Sequence, residues 1–112
     1  MEENDVIASL AALAQPVRLR VFRALVGAGP EGLTPTALSD TLDVPASSLS
    51  FHLKELLHAG LVTQERDGRR LIYRADFGRM NDVMGYLTAH CCQGVPCELA
   101  PTPASNSAST CC

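Results

Sequence analysis

With 112 residues, 46% of them apolar, and a formal net charge of −3, the chain has room for one modest core and the composition of an ordinary globular domain. No apolar run approaches the ~20 residues needed to cross a bilayer. The acidic start Met-Glu-Glu-Asn-Asp lacks the positive charge of a secretory signal, so a cytoplasmic protein with reduced thiols is expected. The charge is unevenly placed: Lys54, Arg66, Arg69, Arg70 and Arg74 outnumber Glu55, Glu65 and Asp67 between residues 47 and 74, while both flanks are acidic. A basic centre between acidic ends is a weak footprint for phosphate contact.

Residues 4–14 form an Ala/Leu-rich helix that Asn4 or Asp5 can cap. Its apolar residues are more numerous than one face requires, which suits burial on two sides, as at a dimer contact. Gln15-Pro16 breaks it, and Pro16 opens a second helix over 17–26. Leu19, Phe22, Leu25 and Val26 are expected inside that helix, with Arg18, Arg20 and Arg23 mostly outside. Gly27-Ala-Gly-Pro-Glu-Gly32 ends it. Thr34-Pro35, an N-cap followed by an N1 proline, starts a short helix to about residue 42, with Ala37, Leu38 and Leu42 buried.

Asp43-Val44-Pro45 then turns into the stretch 44–60. There Leu49, Leu53, Leu56 and Leu57 fall at i, i+4, i+7 and i+8, on one helical face, and Gly60 supplies the stop. The other face carries Ser47, Ser48, Phe51 and Lys54. Alone, such a face is either solvated or suited to a DNA major groove. Two short helices joined by so tight a turn make a helix-turn-helix, whose second helix reads the groove. Residues 61–66 and 69–74 are strand-like runs joined around Asp67-Gly68, the signal for a type I′ hairpin, with Arg66, Arg69 and Arg70 crowding the tip. A helix-turn-helix followed by a basic hairpin is a winged helix, and that order favours the groove-reading face over the solvated one.

A last helix runs from Asp76, its cap, to about residue 90, with Phe77, Met80, Val83, Met84 and Leu87 on its apolar side. It has no evident partner inside a winged helix and is expected to pack with the first helix across a symmetric dimer. All five cysteines follow it or end it: Cys91, Cys92, Cys97, Cys111 and Cys112. Crowded cysteines in a reducing compartment point to metal or redox chemistry rather than a disulfide scaffold. Beyond Pro96 the tail has the composition of a disordered segment.

Three stretches carry a family resemblance: Leu13-Ala-Gln-Pro-Val-Arg-Leu-Arg-Val-Phe22, Ser47-Ser-Leu-Ser-Phe-His-Leu-Lys-Glu-Leu-Leu-His-Ala-Gly-Leu-Val62 and Asp67-Gly-Arg-Arg-Leu-Ile-Tyr73. Over residues 5–90 the chain resembles the ArsR/SmtB family of metalloregulatory winged-helix repressors. The resemblance implies a mainly α fold with a small β-hairpin, a homodimeric winged helix-turn-helix. It also implies an operator-DNA partner and no catalysis or membrane association. Residues 1–92 would form the DNA-binding and dimerisation domain, and 93–112 a flexible cysteine-containing tail. On the match to the family motif, Ser47, Ser48, Ser50, Phe51, His52 and Lys54 are candidates for DNA contact, with Arg69 and Arg70 from the wing. His52 has a structural role as its alternative, and Phe51 either meets a thymine methyl or packs on the wing. For Arg69 and Arg70 the alternative is a solvated hairpin tip.

Some relatives bind metal through a Cys-Val-Cys motif before the reading helix; Thr36-Ala-Leu-Ser-Asp-Thr-Leu42 has no cysteine there. Others bind zinc through paired Asp/His ligands on the last helix, a pattern that Asp82 and His90 do not reproduce. What remains is His90-Cys91-Cys92-Gln-Gly-Val-Pro-Cys97, in which Gly94 and Pro96 can bend Cys97 back toward the pair. Three thiolates suit a soft three-coordinate ion, and arsenic-responsive relatives look similar, so As(III) or Sb(III) is the expected inducer at Cys91, Cys92 and Cys97. Zinc, cadmium or lead with His90 as a fourth ligand, thiol oxidation, and an unliganded frayed end stand as alternatives. A thiol reductase would need a low-pKa cysteine, typically near a helix N-terminus, whereas these follow a helix C-terminus. A metal-sequestering module would leave the basic wing without purpose.

Overall fold

In the computed structural model residues 1–89 are described, and they form five α-helices and one antiparallel hairpin in the order α1 (Glu3–Leu13), α2 (Pro16–Ala28), α3 (Pro35–Leu42), α4 (Ala46–His58), β1 (Val62–Asp67), β2 (Arg70–Ala75) and α5 (Phe77–Thr88). A single 3-10 turn, Gly29–Glu31, follows α2. Among the described residues no helix is long and apolar enough to cross a membrane. The helix ends follow from their residues. Gln15 accepts the Arg18 N–H and Thr34 accepts the Ala37 N–H, each with a proline in the following first turn, and Asp76 accepts the Arg79 N–H. At α1 the cap is Glu2, not Asn4 or Asp5; Asp5 instead stands at N3 and closes a capping box with Glu2.

The core gathers Val21, Phe22 and Leu25 of α2, Leu38 of α3, Leu49, Leu53 and Leu56 of α4, and Leu61, Val62, Tyr73 and Ala75 around the hairpin. Leu49, Leu53 and Leu56 are each no more than 2% exposed, so the leucine face of α4 is its buried face. In α2 the expected inward set is wrong by one step: Leu19 is 45% exposed and Val21 is fully buried. Apolar residues ring that helix, and packing against α3 and α4 selects which side is covered.

The turn between α3 and α4 is built locally. Asp43 adopts φ 55°, a left-handed conformation that aspartate tolerates, and ends α3. The Ser39 hydroxyl donates to the Val44 carbonyl at 2.6 Å and the Val44 N–H donates to the Ser39 carbonyl at 3.2 Å. These two bonds hold the bend that sets α4 against α3.

The hairpin pairs Asp67 with Arg70 and Val62 with Ala75, which leaves Gly68 and Arg69 as the two loop residues. Its turn therefore differs from the expected type I′ about Asp67-Gly68. Only Gly68 has positive φ (64°), at the first central position, which is the requirement of type II′. One pairing is not evident from sequence. Leu33 and Tyr73 exchange backbone hydrogen bonds at 2.9 and 2.8 Å, adding a short third rung beside β2.

Helix α5 packs against α1 of its own chain. Val83 is buried, but Phe77, Met84, Tyr86 and Leu87 stay exposed, as do Ile7 and Leu10 on α1. At the far end of α4, Gly60 takes φ 76°, and a Cβ there would lie 2.6 Å from Arg79 Nη2. The arginine can move aside, so the backbone sets the effect of a substitution. Gly60→Ala is expected to lower stability by about 1–2 kcal/mol, the cost of left-handed backbone for an L-residue. Gly27, inside α2 with nothing near an added Cβ, behaves oppositely: Gly27→Ala should raise stability by roughly 0.5 kcal/mol. Urea titrations of the two variants check this, and shifts of the same sign would contradict the assigned helix ends.

Candidate nucleic-acid interface

Burying the leucines of α4 turns its other residues outward. Ser47, Ser48, Ser50 and Lys54 are exposed, and the Phe51 ring is 55% exposed. That ring forms a T-shaped pair with His52, with centroids 5.5 Å apart at 64°. His52 is half-buried at the border between the two faces. The result is a strip of short hydroxyls, one aromatic and one ammonium along a helix, with no acidic side chain at any of those positions. Hydroxyls can donate or accept, the ammonium only donates, and an aromatic edge can meet a methyl group.

The wing presents its arginines unequally. Arg66, Arg69 and Arg70 are exposed around the loop. Arg74 belongs elsewhere: its Nε donates to the Pro30 carbonyl at 2.6 Å and its Nη1 to Glu65 Oε1 at 2.7 Å. Both partners of that ion pair meet solvent, so its net contribution is small. Its effect is on charge placement. Arg74, counted in the basic centre of the sequence, is matched by Glu65, and the exposed cations of that centre are Lys54 and the three arginines around the hairpin tip.

Arg18, expected mostly outside, is instead part of a junction. Its Nε donates to the Ala12 carbonyl at 2.7 Å, and its Nη1 approaches His52 Nδ1 at 3.4 Å. Partial burial and the adjacent Arg18 cation lower the His52 pKa from its ordinary 6.5, with Glu55 opposing them. Sequence contains half of this arrangement. An arginine at N3, after Gln15-Pro16, is well placed to reach back to the carbonyl end of the preceding helix. Its meeting with a residue 34 positions later is a tertiary fact.

The expected inducer site at Cys91, Cys92 and Cys97, with His90, lies outside the described residues, as do Cys111 and Cys112. Among the described residues no group of three or more His, Cys, Asp or Glu side chains is placed to hold a metal ion. Asp82, the one described member of the zinc pattern considered above, is exposed and lines a shallow depression with Asp5, Asp76 and Arg79.

A helix-turn-helix with an exposed polar reading face, followed by a basic hairpin, defines a winged helix-turn-helix protein. A family model described as a helix-turn-helix domain matches residues 13–65. The chain is 43% identical over 60 residues to a Halobacterium salinarum protein bearing the name arsenical resistance operon repressor ArsR, a stretch covering 54% of this chain and 46% of that protein. It is 43% identical over 65 residues to the HTH-type transcriptional repressor SmtB of Mycobacterium tuberculosis, covering 58% and 46%. Each match thus spans just under half of the curated relative. Among solved structures, an ArsR-like transcriptional regulator from Rhodococcus sp. RHA1 superposes with a TM-score of 0.68 at 26% identity, covering 75% of this chain and 76% of that one. A possible transcriptional regulator for arsenical resistance gives 0.62 at 30% identity, covering 70% and 79%. The chain belongs to the ArsR/SmtB family of winged-helix regulators. These relatives and neighbours are regulators of transcription rather than enzymes.

A histidine whose folded pKa lies below its unfolded value takes up its proton more readily when unfolded. The stability it contributes is complete above 6.5 and is lost as pH falls from there through the lowered folded value. His52→Gln, which does not titrate, should therefore lose less stability than wild type across that window. Urea midpoints on either side of it are the measurement; identical losses would show that the ring does not titrate abnormally.

Proposed function

We propose that this chain is a cytoplasmic transcriptional repressor that holds operator DNA as a homodimer and releases it when arsenite or antimonite binds its C-terminal thiolates. The observation that carries the DNA half of this reading is the outer face of α4, exposed and without acidic residues from Ser47 to Lys54, beside the arginines of the wing. In this reading Ser47, Ser48, Ser50, Phe51 and His52 approach base edges or phosphates, and Lys54 meets phosphate. Arg69 and Arg70 meet phosphate or the minor groove. The exposed apolar residues Ile7 and Leu10 of α1 and Met84 and Leu87 of α5 support dimerisation through these two helices. A two-fold dimer would set two copies of α4 in successive major grooves, roughly 34 Å apart.

Cys91, Cys92 and Cys97 carry the inducer half. Thiolates select soft ions, and three of them with no strong fourth ligand match trivalent arsenic or antimony better than zinc, which takes four. Helix α5 leads directly to these cysteines in sequence, and its Arg79 lies over Gly60 at the end of α4. A shift of α5 on loading the thiolates would reach the reading helix through that contact.

Affinity for a duplex selected by the wild-type protein from a random-sequence pool should fall steeply with added salt. Replacing both Arg69 and Arg70 with alanine should lower the magnitude of the log–log salt slope by about 2, one for each phosphate no longer neutralised. An unchanged slope would remove the wing from the interface.

Arsenite or antimonite should weaken wild-type binding by roughly 5–150-fold, the range of a coupling free energy of 1–3 kcal/mol. Cys91→Ser, Cys92→Ser and Cys97→Ser should each bind DNA as wild type does and stay bound when arsenite is added, read by fluorescence anisotropy. Continued release from all three variants would refute the thiolate site. Release by zinc, cadmium, lead or a thiol oxidant, and not by arsenite, would replace the inducer while leaving the DNA reading intact.

A further inference from the structure

Arg18 touches three helices. Its backbone N–H is held by Gln15 at the start of α2, its Nε donates to the Ala12 carbonyl in the last turn of α1, and its Nη1 reaches His52 Nδ1 in α4. The Ala12 carbonyl is among the last four of α1, which have no partner within the helix, and the negative end of the helix dipole favours a cation there. One arm of the guanidinium is thus anchored before the other meets the reading helix.

The second contact fixes a chemical state. A guanidinium has five donors and no acceptor, so the nitrogen it approaches must offer a lone pair. His52 Nδ1 is then unprotonated, and the ring proton of the neutral imidazole is on Nε2. An imidazolium would place an N–H against an N–H and a second cation beside Arg18. The charged and aromatic groups facing the ring are Arg18 from α2, and Glu55 and Phe51 from α4 itself. Glu55 favours the imidazolium and opposes Arg18.

We propose that Arg18 is a positioning residue for DNA reading: anchored on the end of α1, it holds His52 as the neutral Nε2–H tautomer and fixes the angle of α4 against α1. This rests on the DNA-reading role of α4 and deepens it by naming what sets that helix. The ring's single donor, Nε2–H, is then the one available to a phosphate or base acceptor. Arg18 itself touches no DNA in this arrangement; it acts through His52.

Two measurements test it, both on the full chain. The first needs no DNA. Long-range nitrogen–proton NMR of the His52 ring should show the Nε2–H tautomer above the ordinary titration range, and a midpoint below 6.5. In Arg18→Met the midpoint should rise and the two tautomers should mix. An unchanged midpoint and tautomer overturn the proposal. If the methionine variant fails to fold, Arg18→Lys takes its place, since lysine keeps a cation for the Ala12 carbonyl but has no second arm for His52.

The second is a double-mutant cycle on affinity for the selected duplex. Arg18→Met should weaken binding by about tenfold in the wild-type background and by less than about twofold in the His52→Leu background, a difference within the range of measured couplings between contacting residues. Equal fold-losses in the two backgrounds overturn the proposal while leaving α4 as the reader. If the wild-type chain binds no duplex even at low salt, the DNA reading falls and this proposal falls with it.

Discussion

Burial of Leu49, Leu53 and Leu56 is the constraint on which the rest of the molecule depends. These side chains lie on one stripe of α4, and α2, α3 and the start of the hairpin close around them. Each fully buried leucine stabilises by roughly 1.5–3 kcal/mol relative to exposure, so the three together rival the net stability of a small domain. Once that stripe is covered, the opposite stripe has no partner in the fold. Its serines, Phe51 and Lys54 face solvent because the leucines do not. The reading surface follows from core packing, with no separate device to display it.

Charge follows the same economy. The chain is acidic overall, yet its exposed arginines at the hairpin tip, Arg66 on β1, Arg69 in the loop and Arg70 on β2, belong to the hairpin that follows α4 directly. Arg74 is held by Pro30 and Glu65, so its guanidinium ties β2 to the turn after α2. Of the basic residues between 47 and 74, Lys54 on α4 and the three arginines at the tip are thereby the ones left exposed.

Much of this is legible in the sequence because it is local. Thr34-Pro35 and Asp76 mark helix starts, Gly60 marks an end, and the leucine spacing of α4 gives its buried face directly. The hairpin is evident from Gly68 and its flanking runs. Its turn type is not, because the pairing of Asp67 with Arg70 is set by how β2 packs on the core and against Leu33. The inward face of α2 departs from expectation for a related reason. Val17, Leu19, Val21, Phe22, Leu25 and Val26 surround the helix, and only its neighbours decide that Val21 is covered while Leu19 is not. In the candidate site, the polar strip is readable from periodicity. The role of Arg18 is not, since helix spacing carries no information about a partner 34 residues away.

The same tethers also give a signal a route to the reading helix. Along its length α4 is tied to the rest of the fold in two places by polar groups. Near its middle His52 meets Arg18, which is anchored on α1. Just beyond its end, Arg79 of α5 lies over Gly60, and the Asp76 N–H donates to the Leu61 carbonyl at 2.8 Å. Helices α1 and α5 also expose Ile7, Leu10, Met84 and Leu87, the residues assigned to the proposed dimer contact. In the proposed dimer, relative movement of α1 and α5 would be passed to α4 through His52 and through the segment just beyond its end. Such a movement need only be small. A fixed spacing between paired major grooves converts a modest rotation of each α4 into a misfit at both half-sites at once.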